Sequence, residues 1–290
     1  METLPVEEYK KIKLRELYDL ENRAISWSEL RFVLNGSWFK RVRTVINSLD
    51  NQLKIDDGAY NLFSILLDDL DPVVLNSRLV KVEAVSREQN RLRAYRKSRG
   101  ELASIQTNQI LGSIFEVNIV YAALQSCSSV EVFPKAGKGG SDVESKLLID
   151  NRPVFIEAKA LTYSKHDIAA PYSGYVGSHS IDSMIKQIHD ALSEKLAQGK
   201  QLQILSKGFP TVLCLALGFN ADEISGPWSI ESFYQECRSN VSSIVLFGSP
   251  FCRNLPKVFH NEKSTFSLSQ KERQVFENTF YRSINNNEDT

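Results

Sequence analysis

The sequence has no long apolar run and no closely spaced pair of cysteines. Its longest apolar stretch, residues 211–217, is far too short to cross a bilayer, and its first residues are charged where a secretory leader needs an apolar core. The four cysteines are widely separated, which argues against a zinc site or a disulfide framework. The four histidines are scattered and show no metal-ligand spacing. These absences predict a cytoplasmic protein without a membrane partner.

The sequence also lacks net charge, since 35 basic residues balance 35 acidic ones. This balance argues against binding of nucleic acid by the whole molecular surface, so any binding requires a local patch. Residues 78–99 form one such patch, with eight Lys or Arg residues against two Glu residues. Arg87, Arg91 and Arg96 are its candidate phosphate contacts, with Tyr95 available to stack on a base. The alternative is a solvated helix or linker.

An apolar strand that carries two charges is the most informative feature present. Residues 152–161 contain an apolar run that is interrupted only by Glu157 and Lys159, a pattern typical of a buried strand. Because side chains alternate between the two faces of a strand, both charges are expected on one face, and Val154, Ile156, Ala158 and Ala160 on the other. Charges kept in such a segment are usually paired or bound to metal.

The preceding residues predict the partner of this strand. Residues 141–149 form a second predicted strand, and residues 150–152 have the composition of a hairpin turn, so the two strands are expected to pair antiparallel. Opposite residues then have numbers that sum to about 301 or 302, which sets Asp142 close to Lys159 or Ala160. Asp142 and Glu157 are therefore predicted to share a metal ion.

These residue types suit magnesium chemistry on a phosphodiester. Mg²⁺ binds through one or two carboxylates, waters and phosphate oxygens, which Asp142 and Glu157 can satisfy together with a backbone carbonyl, and Mn²⁺ can substitute. Lys159 is suited to orienting the attacking water or to stabilising charge that develops on phosphorus. The Gly-rich residues 137–140, which include Lys138, let the backbone approach a phosphate.

The arrangement resembles the PD-(D/E)XK nuclease superfamily, which has the restriction-endonuclease-like fold. The core of that fold is a helix, a three-stranded meander, a second helix and a further strand. The matching segments here are a helix at 104–126, strands at 130–133, 141–149 and 152–161, a helix at 180–198 and a strand at 211–217. The resemblance therefore implies an α/β fold with a mixed central sheet flanked by helices.

The resemblance also implies residue roles and an activity. Asp142, Glu157 and Glu116 would be metal ligands, Lys159 would be catalytic, and Gln187 in the second helix would assist. The implied activity is magnesium-dependent hydrolysis of DNA, as an endonuclease, in phage defence, restriction or repair. A homodimer would suit duplex cutting, which needs two sites.

The rest of the chain predicts a helical region before this domain. Residues 1–100 are predicted to be helical, with a capping box at Ser26 and Glu29 and one long helix from Pro72 to about Arg99. This region could bind DNA, join two subunits or hold a partner protein. Residues 101–284 are the predicted nuclease domain, with a helix at 229–240, a strand at 243–247, a loop and a last helix at 269–284, before a disordered tail at 285–290.

Residues 162–180 predict a loop directly after the charged strand, in which Lys165 is a candidate phosphate contact. The alternative for this segment is a disordered surface loop.

Two rival functions remain open. One is a catalytically inactive member of the same fold that serves as a nucleic-acid-binding or protein-interaction scaffold. The other is an interaction protein in which Asp142 and Lys159 form a plain salt bridge. A second Glu-x-Lys, at residues 144–146, shows how weak the tripeptide is alone; it is expected in a half-polar strand with a solvated face.

Overall fold

The computed structural model describes residues 5–49, 57–104, 106–136, 143–160, 208–216, 241–248, 251 and 256–279. Over these residues the chain is a mixed α/β structure, as the sequence predicted, with a run of helices followed by a six-stranded sheet. None of the helices in this part of the chain has the length and apolar character needed to span a membrane.

The helices are Val6–Ala24 (α1), Gly36–Asn47 (α2), Gly58–Ser64 (α3), Pro72–Glu88 (α4), Leu92–Glu101 (α5), Thr107–Ser126 (α6) and Gln270–Gln274 (α7). A 3₁₀ turn covers Leu30–Phe32, and π turns extend α3 over Ile65–Asp69 and α7 over Val275–Thr279. The strands are Val130–Val132 (β1), Ser145–Ile149 (β2), Arg152–Ala160 (β3), Thr211–Ala216 (β4), Ser243–Phe247 (β5) and Lys257–His260 (β6).

The chain divides into two compact units. Among the described residues, those up to 81 and those from 96 to 113 form the first unit, and those at 82–95, 114–160 and 208–279 form the second. The whole sheet belongs to the second unit. The boundary predicted at residue 100 between a helical region and a nuclease domain stays a prediction.

The predicted capping box at Ser26 and Glu29 is wrong. The Glu29 backbone N–H, which Ser26 should have accepted, donates to Asn76 Oδ1 at 3.1 Å, and the Ser26 hydroxyl donates to Arg23 O at 2.8 Å. Only a short 3₁₀ turn follows. The next long helix, α2, instead begins after Asn35, whose side chain accepts two N–H groups of its first turn.

The single long helix predicted from Pro72 to Arg99 is also wrong, because the chain breaks between α4 and α5. Asn90 has a positive φ of 58°, a conformation that asparagine tolerates better than most residues. Just before it, the side chain of Gln89 pairs with strand β1, donating to Val130 O at 2.7 Å and accepting from Val132 N at 2.8 Å. The break therefore covers one edge of the sheet with a side-chain amide.

The sheet has the strand order β1-β2-β3-β4-β5-β6. Strands β1, β2 and β3 form an antiparallel meander, and β4 and β5 continue parallel to β3. The sequence predicted each of these five strands, although β2 begins at Ser145 and the described residues 143 and 144 before it are not strand. Strand β6, antiparallel to β5 at the other edge, occupies a segment that was predicted to be a loop.

The hairpin between β2 and β3 has the register that the sequence predicted. Ser145 stands opposite Ile156, and Ile149 stands opposite Arg152. The two turn residues, Asp150 and Asn151, have φ values of 49° and 64°, and two successive positive values are what a type I′ hairpin turn requires.

Helix α6 packs on one face of the sheet and forms the main core there. Its buried Phe115 meets Phe247 of β5 edge to face, with ring centroids 5.3 Å apart. The strand residues in this core include Val154, Ile156 and Ala158 of β3. Phe155 belongs to a separate cluster with Ala136 and Val143. The alternation of β3 side chains between two faces is thereby confirmed.

The hairpin turn and the first residue of β3 also anchor α7, a role that the sequence did not indicate. Arg152 Nη1 lies 3.1 Å from Glu272 Oε2, and Lys271 forms an ion pair with Asp150. Ser269 and Glu272 make a full capping box at the start of α7, so the predicted helix start is confirmed. The predicted helix end at residue 284 lies outside the described residues.

Candidate functional site

Strand β3 carries the two predicted catalytic charges in the middle of the sheet. Glu157 is buried, with 7% of its surface exposed, and Lys159 is half-buried. Since Val154, Ile156 and Ala158 point into the α6 core, Glu157 and Lys159 project from the opposite face. Their Cα atoms are about 6.6 Å apart at the usual rise per residue, close enough for a carboxylate and an ammonium group to act on one ligand.

The neighbours of these charges differ sharply on the two sides of β3. On the β4 side, Glu157 stands beside Leu213 and Lys159 beside Leu215, and both leucines are buried. This side supplies no polar side chain at these two positions.

On the β2 side a further carboxylate reaches the strand. Glu144, directly before β2, accepts a hydrogen bond from the Ala158 backbone N–H through Oε2 at 2.7 Å. Its own carbonyl accepts the Phe133 N–H at 3.0 Å. Strand β2 is half-polar with one partly exposed face, as expected, but Glu144 lies just before it, is half-buried and accepts the N–H of the residue between Glu157 and Lys159. The predicted register was the available signal, since it sets Glu144 next to Glu157.

Four of the predicted site residues lie outside the described residues. They are Asp142, Gln187, Lys138 and Lys165. The helices predicted at 180–198 and 229–240, the loop predicted at 162–180 and the tail predicted at 285–290 also lie outside the described residues. Their roles stay predictions.

Glu116 lies on α6, one residue after Phe115, and is half-buried. Helix α6 packs on the sheet face opposite to that from which Glu157 and Lys159 project. The packing therefore gives no support to Glu116 as a ligand of the same metal, and that role stays a prediction.

The three basic residues predicted to contact phosphate have different surroundings. Arg87 pairs with Glu83 at 2.5 Å, and Arg91 pairs with Glu131 of β1 at 2.8 Å, so each guanidinium already has a carboxylate partner. Arg96 is exposed, and the described residues include no acidic group in a salt bridge with it. Tyr95 is fully buried, so its predicted availability for stacking is wrong.

Glu131 is the centre of this charge cluster. Besides Arg91, it pairs with Lys146 of the neighbouring strand β2. Burial opposes ionisation of Glu131, but the hydrogen bonds and attraction from Lys146 and Arg91 outweigh it and hold the pKa of that carboxyl below its ordinary value. Lys146 is thus used in a cross-strand ion pair at the β1 edge of the sheet.

A serine, a histidine and a glutamate also lie in line at the other edge of the sheet. His260 Nδ1 is 3.1 Å from Ser243 Oγ, and its Nε2 is 2.8 Å from Glu277 Oε1. Ser243 is fully buried, and its hydroxyl donates to Phe259 O at 3.0 Å. A nucleophile must be able to reach its substrate, and Ser243 is buried. These hydrogen bonds therefore link β5, β6 and the π turn after α7 and do not form a hydrolase triad.

The comparisons with known proteins bring no relative. No family model, curated protein or solved structure matches this chain. Among the residues that the structure describes, no group of three or more His, Cys, Asp or Glu side chains is placed to hold a metal ion. Function must therefore be inferred from the chemistry of the β3 residues and their neighbours.

The donors around β3 nevertheless fit a hard cation. Glu157 offers carboxylate oxygens, which are the ligands that Mg²⁺ prefers. The Ala158 carbonyl points along the sheet toward β2, because the N–H and C=O of one strand residue point to the same side and the Ala158 N–H points to Glu144. Oxygen donors from a side chain and from the backbone thus come from adjacent residues.

Proposed function

We propose that this protein is a metal-dependent nuclease that hydrolyses phosphodiester bonds in DNA. The observation that carries the proposal is the pair on β3: a buried carboxylate, Glu157, and a half-buried ammonium group, Lys159, project from one face of a central strand, away from the main core. Burying charge is costly unless the charge is paired or binds a ligand, so such a pair at the centre of a sheet indicates a site.

We further propose that the sheet is the core of a restriction-endonuclease-like fold. The order of elements supports it, since a helix, α6, is followed by an antiparallel meander, β1–β3, and then by β4, which runs parallel to β3. A parallel neighbour requires a crossover connection, which is where that fold has its second helix.

In the proposed mechanism, Glu157 and the Ala158 carbonyl would hold a magnesium ion, with Asp142, three residues before β2 in the sequence, as the second carboxylate. The chemistry supplied by a metal ion held there would be polarisation of the scissile phosphate and a lower pKa of the attacking water. Lys159 either orients that water or stabilises the negative charge that develops on phosphorus. The new bond joins the water oxygen to phosphorus, and the bond from phosphorus to the leaving oxygen of the sugar breaks.

The test is cleavage of supercoiled and linear DNA by the whole chain in Mg²⁺, Mn²⁺ or EDTA. We expect the wild type to nick DNA with either metal and not in EDTA, and we expect both Asp142→Ala and Lys159→Ala to lose the activity. The stability of Asp142→Ala without metal distinguishes the two interpretations of Asp142, as a metal ligand or as the partner of Lys159 in a salt bridge. A ligand predicts unchanged or higher stability, whereas a salt bridge to Lys159 predicts a loss.

A wild-type protein that stays folded and inert on DNA with both metals would contradict the proposal. Binding of DNA without cleavage in the same samples would then favour the inactive scaffold.

A further inference from the structure

Glu144 ties the start of β2 to both neighbouring strands. Its backbone carbonyl accepts the Phe133 N–H at 3.0 Å, and its side-chain Oε2 accepts the Ala158 N–H at 2.7 Å. The first contact fixes the residue beside the end of β1. The second makes its carboxylate part of the hydrogen bonding of β3.

The Glu144 side chain takes the place of a backbone hydrogen-bond acceptor in the pairing of β2 with β3. The last pair of the hairpin in this direction is Ser145 with Ile156. Ala158 is the next β3 residue whose N–H points toward β2, and it is buried, so water cannot easily replace a lost partner. The carboxylate therefore satisfies an N–H that would otherwise be left unpaired at this end of the ladder.

The position of Ala158 gives this contact a functional meaning. Ala158 separates Glu157 from Lys159, and its carbonyl is a proposed oxygen donor. A charge-assisted hydrogen bond to its N–H is stronger than the usual backbone rung and restricts rotation of this peptide. The directions of the Glu157 and Lys159 side chains and of the Ala158 carbonyl depend on that same stretch of backbone.

We propose that Glu144 is a positioning residue for the β3 site: its carboxylate holds the Ala158 peptide so that Glu157, Lys159 and the Ala158 carbonyl address one ligand. This inference rests on the proposed nuclease function. Glu144 is assigned no contact with substrate. Its tripeptide, at residues 144–146, would thus help to position the one at residues 157–159.

The experiment compares three substitutions of Glu144 in the full chain by DNA cleavage in Mg²⁺, with kcat and KM measured separately. Glu144→Ala removes the acceptor, Glu144→Asp keeps the charge but shortens its reach, and Glu144→Gln keeps both the reach and an acceptor oxygen. We expect kcat to fall about 10- to 100-fold for the Ala and Asp variants, the range typical of residues that orient metal ligands. We expect KM to stay near the wild-type value and Glu144→Gln to recover most of kcat.

Lys146→Ala is the matched control, since it changes the other end of the same tripeptide and breaks the ion pair with Glu131. It should leave kcat unchanged. If Glu144→Ala does not fold, the contrast between the Asp and Gln variants still decides the question, because the two differ in reach and in charge.

Each outcome is distinct. An active wild type with Glu144 variants that keep kcat within twofold would overturn the positioning role and leave the nuclease proposal intact. Equal losses in the Gln and Ala variants would also overturn it, because an acceptor oxygen of the same reach would then fail to restore the position of the Ala158 peptide. An inert wild type would overturn the proposed function itself.

Discussion

The two Glu-x-Lys tripeptides of this chain have the same spacing but different positions and contacts in the sheet. Glu157 and Lys159 lie within β3, where they project together from one face of a strand that has partners on both sides. Glu144 and Lys146 straddle the start of β2, and each is bound to a different neighbour, Ala158 of β3 for Glu144 and Glu131 of β1 for Lys146.

The difference shows that position in the sheet decides what a short motif can do. Lys146 lies one strand from the edge, where a cross-strand carboxylate can reach it. Leu213 and Leu215 border Glu157 and Lys159 on the β4 side, whereas the described partner of Lys146 is a carboxylate. Under the proposed function, the tripeptide of β3 carries the chemistry and that of β2 has a structural role.

Glu157→Gln should have the largest effect. The amide keeps the size of the side chain but removes the charge that the proposed metal requires. We expect cleavage to fall about 10³-fold, comparable with the loss of a main electrostatic contact in other enzymes. Single-turnover cleavage measures this, and circular dichroism checks the fold. Glu131→Gln, the same chemical change on β1, should keep wild-type cleavage; equal losses in the two variants would contradict a specific role of Glu157.

Metal binding should stabilise the protein through β3. A ligand that binds only the folded state raises the free energy of unfolding, by about 2.7 kcal/mol at a concentration 100 times Kd. We expect Mg²⁺ or Mn²⁺ to raise the midpoint of thermal unfolding of the wild type and of Lys146→Ala, but not of Glu157→Gln. Differential scanning calorimetry with and without EDTA tests this. A metal-induced rise in the unfolding midpoint that persists in Glu157→Gln would show that the metal binds elsewhere than on β3.

The hairpin turn sets the register between the two tripeptides and can be tested separately. Asn151 has a φ of 64°, which a β-branched residue adopts at a cost, so Asn151→Val should lower the free energy of unfolding by about 1–2 kcal/mol. Asn151→Gly should be neutral or slightly stabilising, because glycine is favoured at this position of a type I′ turn. Urea denaturation measures both. Equal stabilities of the two variants would contradict the turn conformation.

The smallest effect should come from Glu131, the partner of Lys146. Its lowered pKa means that the folded state favours the carboxylate. The resulting stability is present above the pKa of an unfolded glutamate and is lost as the pH falls through the lower pKa of the folded state. Because the cluster is partly exposed, we expect Glu131→Gln to cost only about 0.2–1 kcal/mol at neutral pH.

Chemical denaturation of the wild type and Glu131→Gln between pH 3 and pH 7, values chosen to bracket glutamate titration, checks the sign. The difference in the free energy of unfolding should shrink as the pH falls. A difference that grows on acidification would contradict the assigned ion pairs.

The sequence predicted the central elements because their signals are local and redundant. The strands β4 and β5 are almost wholly apolar, the apolar run of β3 is interrupted only by Glu157 and Lys159, and the Asp-Asn turn fixes the hairpin register. The α6 pattern likewise identified a buried helix. At the site, Glu157 and Lys159 stood out because charge inside an apolar run is costly.

The errors arose where distant partners override local pattern. The sequence does not show that Asn76 takes the Glu29 N–H, or that Gln89 pairs with β1 and ends α4. Edge strand β6 is short and half-buried, so its alternation is weak. The contact of Glu144 with Ala158 was missed because, in sequence, a carboxylate that accepts a backbone N–H of the next strand resembles a solvated residue.

The most direct measurement compares Lys159→Met with Lys146→Met in one Mg²⁺-dependent DNA cleavage assay. Both changes remove an ammonium group and keep an unbranched side chain, one from each tripeptide. The assignment of chemistry to β3 predicts that Lys159→Met loses cleavage by about 10²-fold or more while remaining folded, and that Lys146→Met cleaves like the wild type. Equal activity of the two variants, or a selective loss in Lys146→Met, would contradict it.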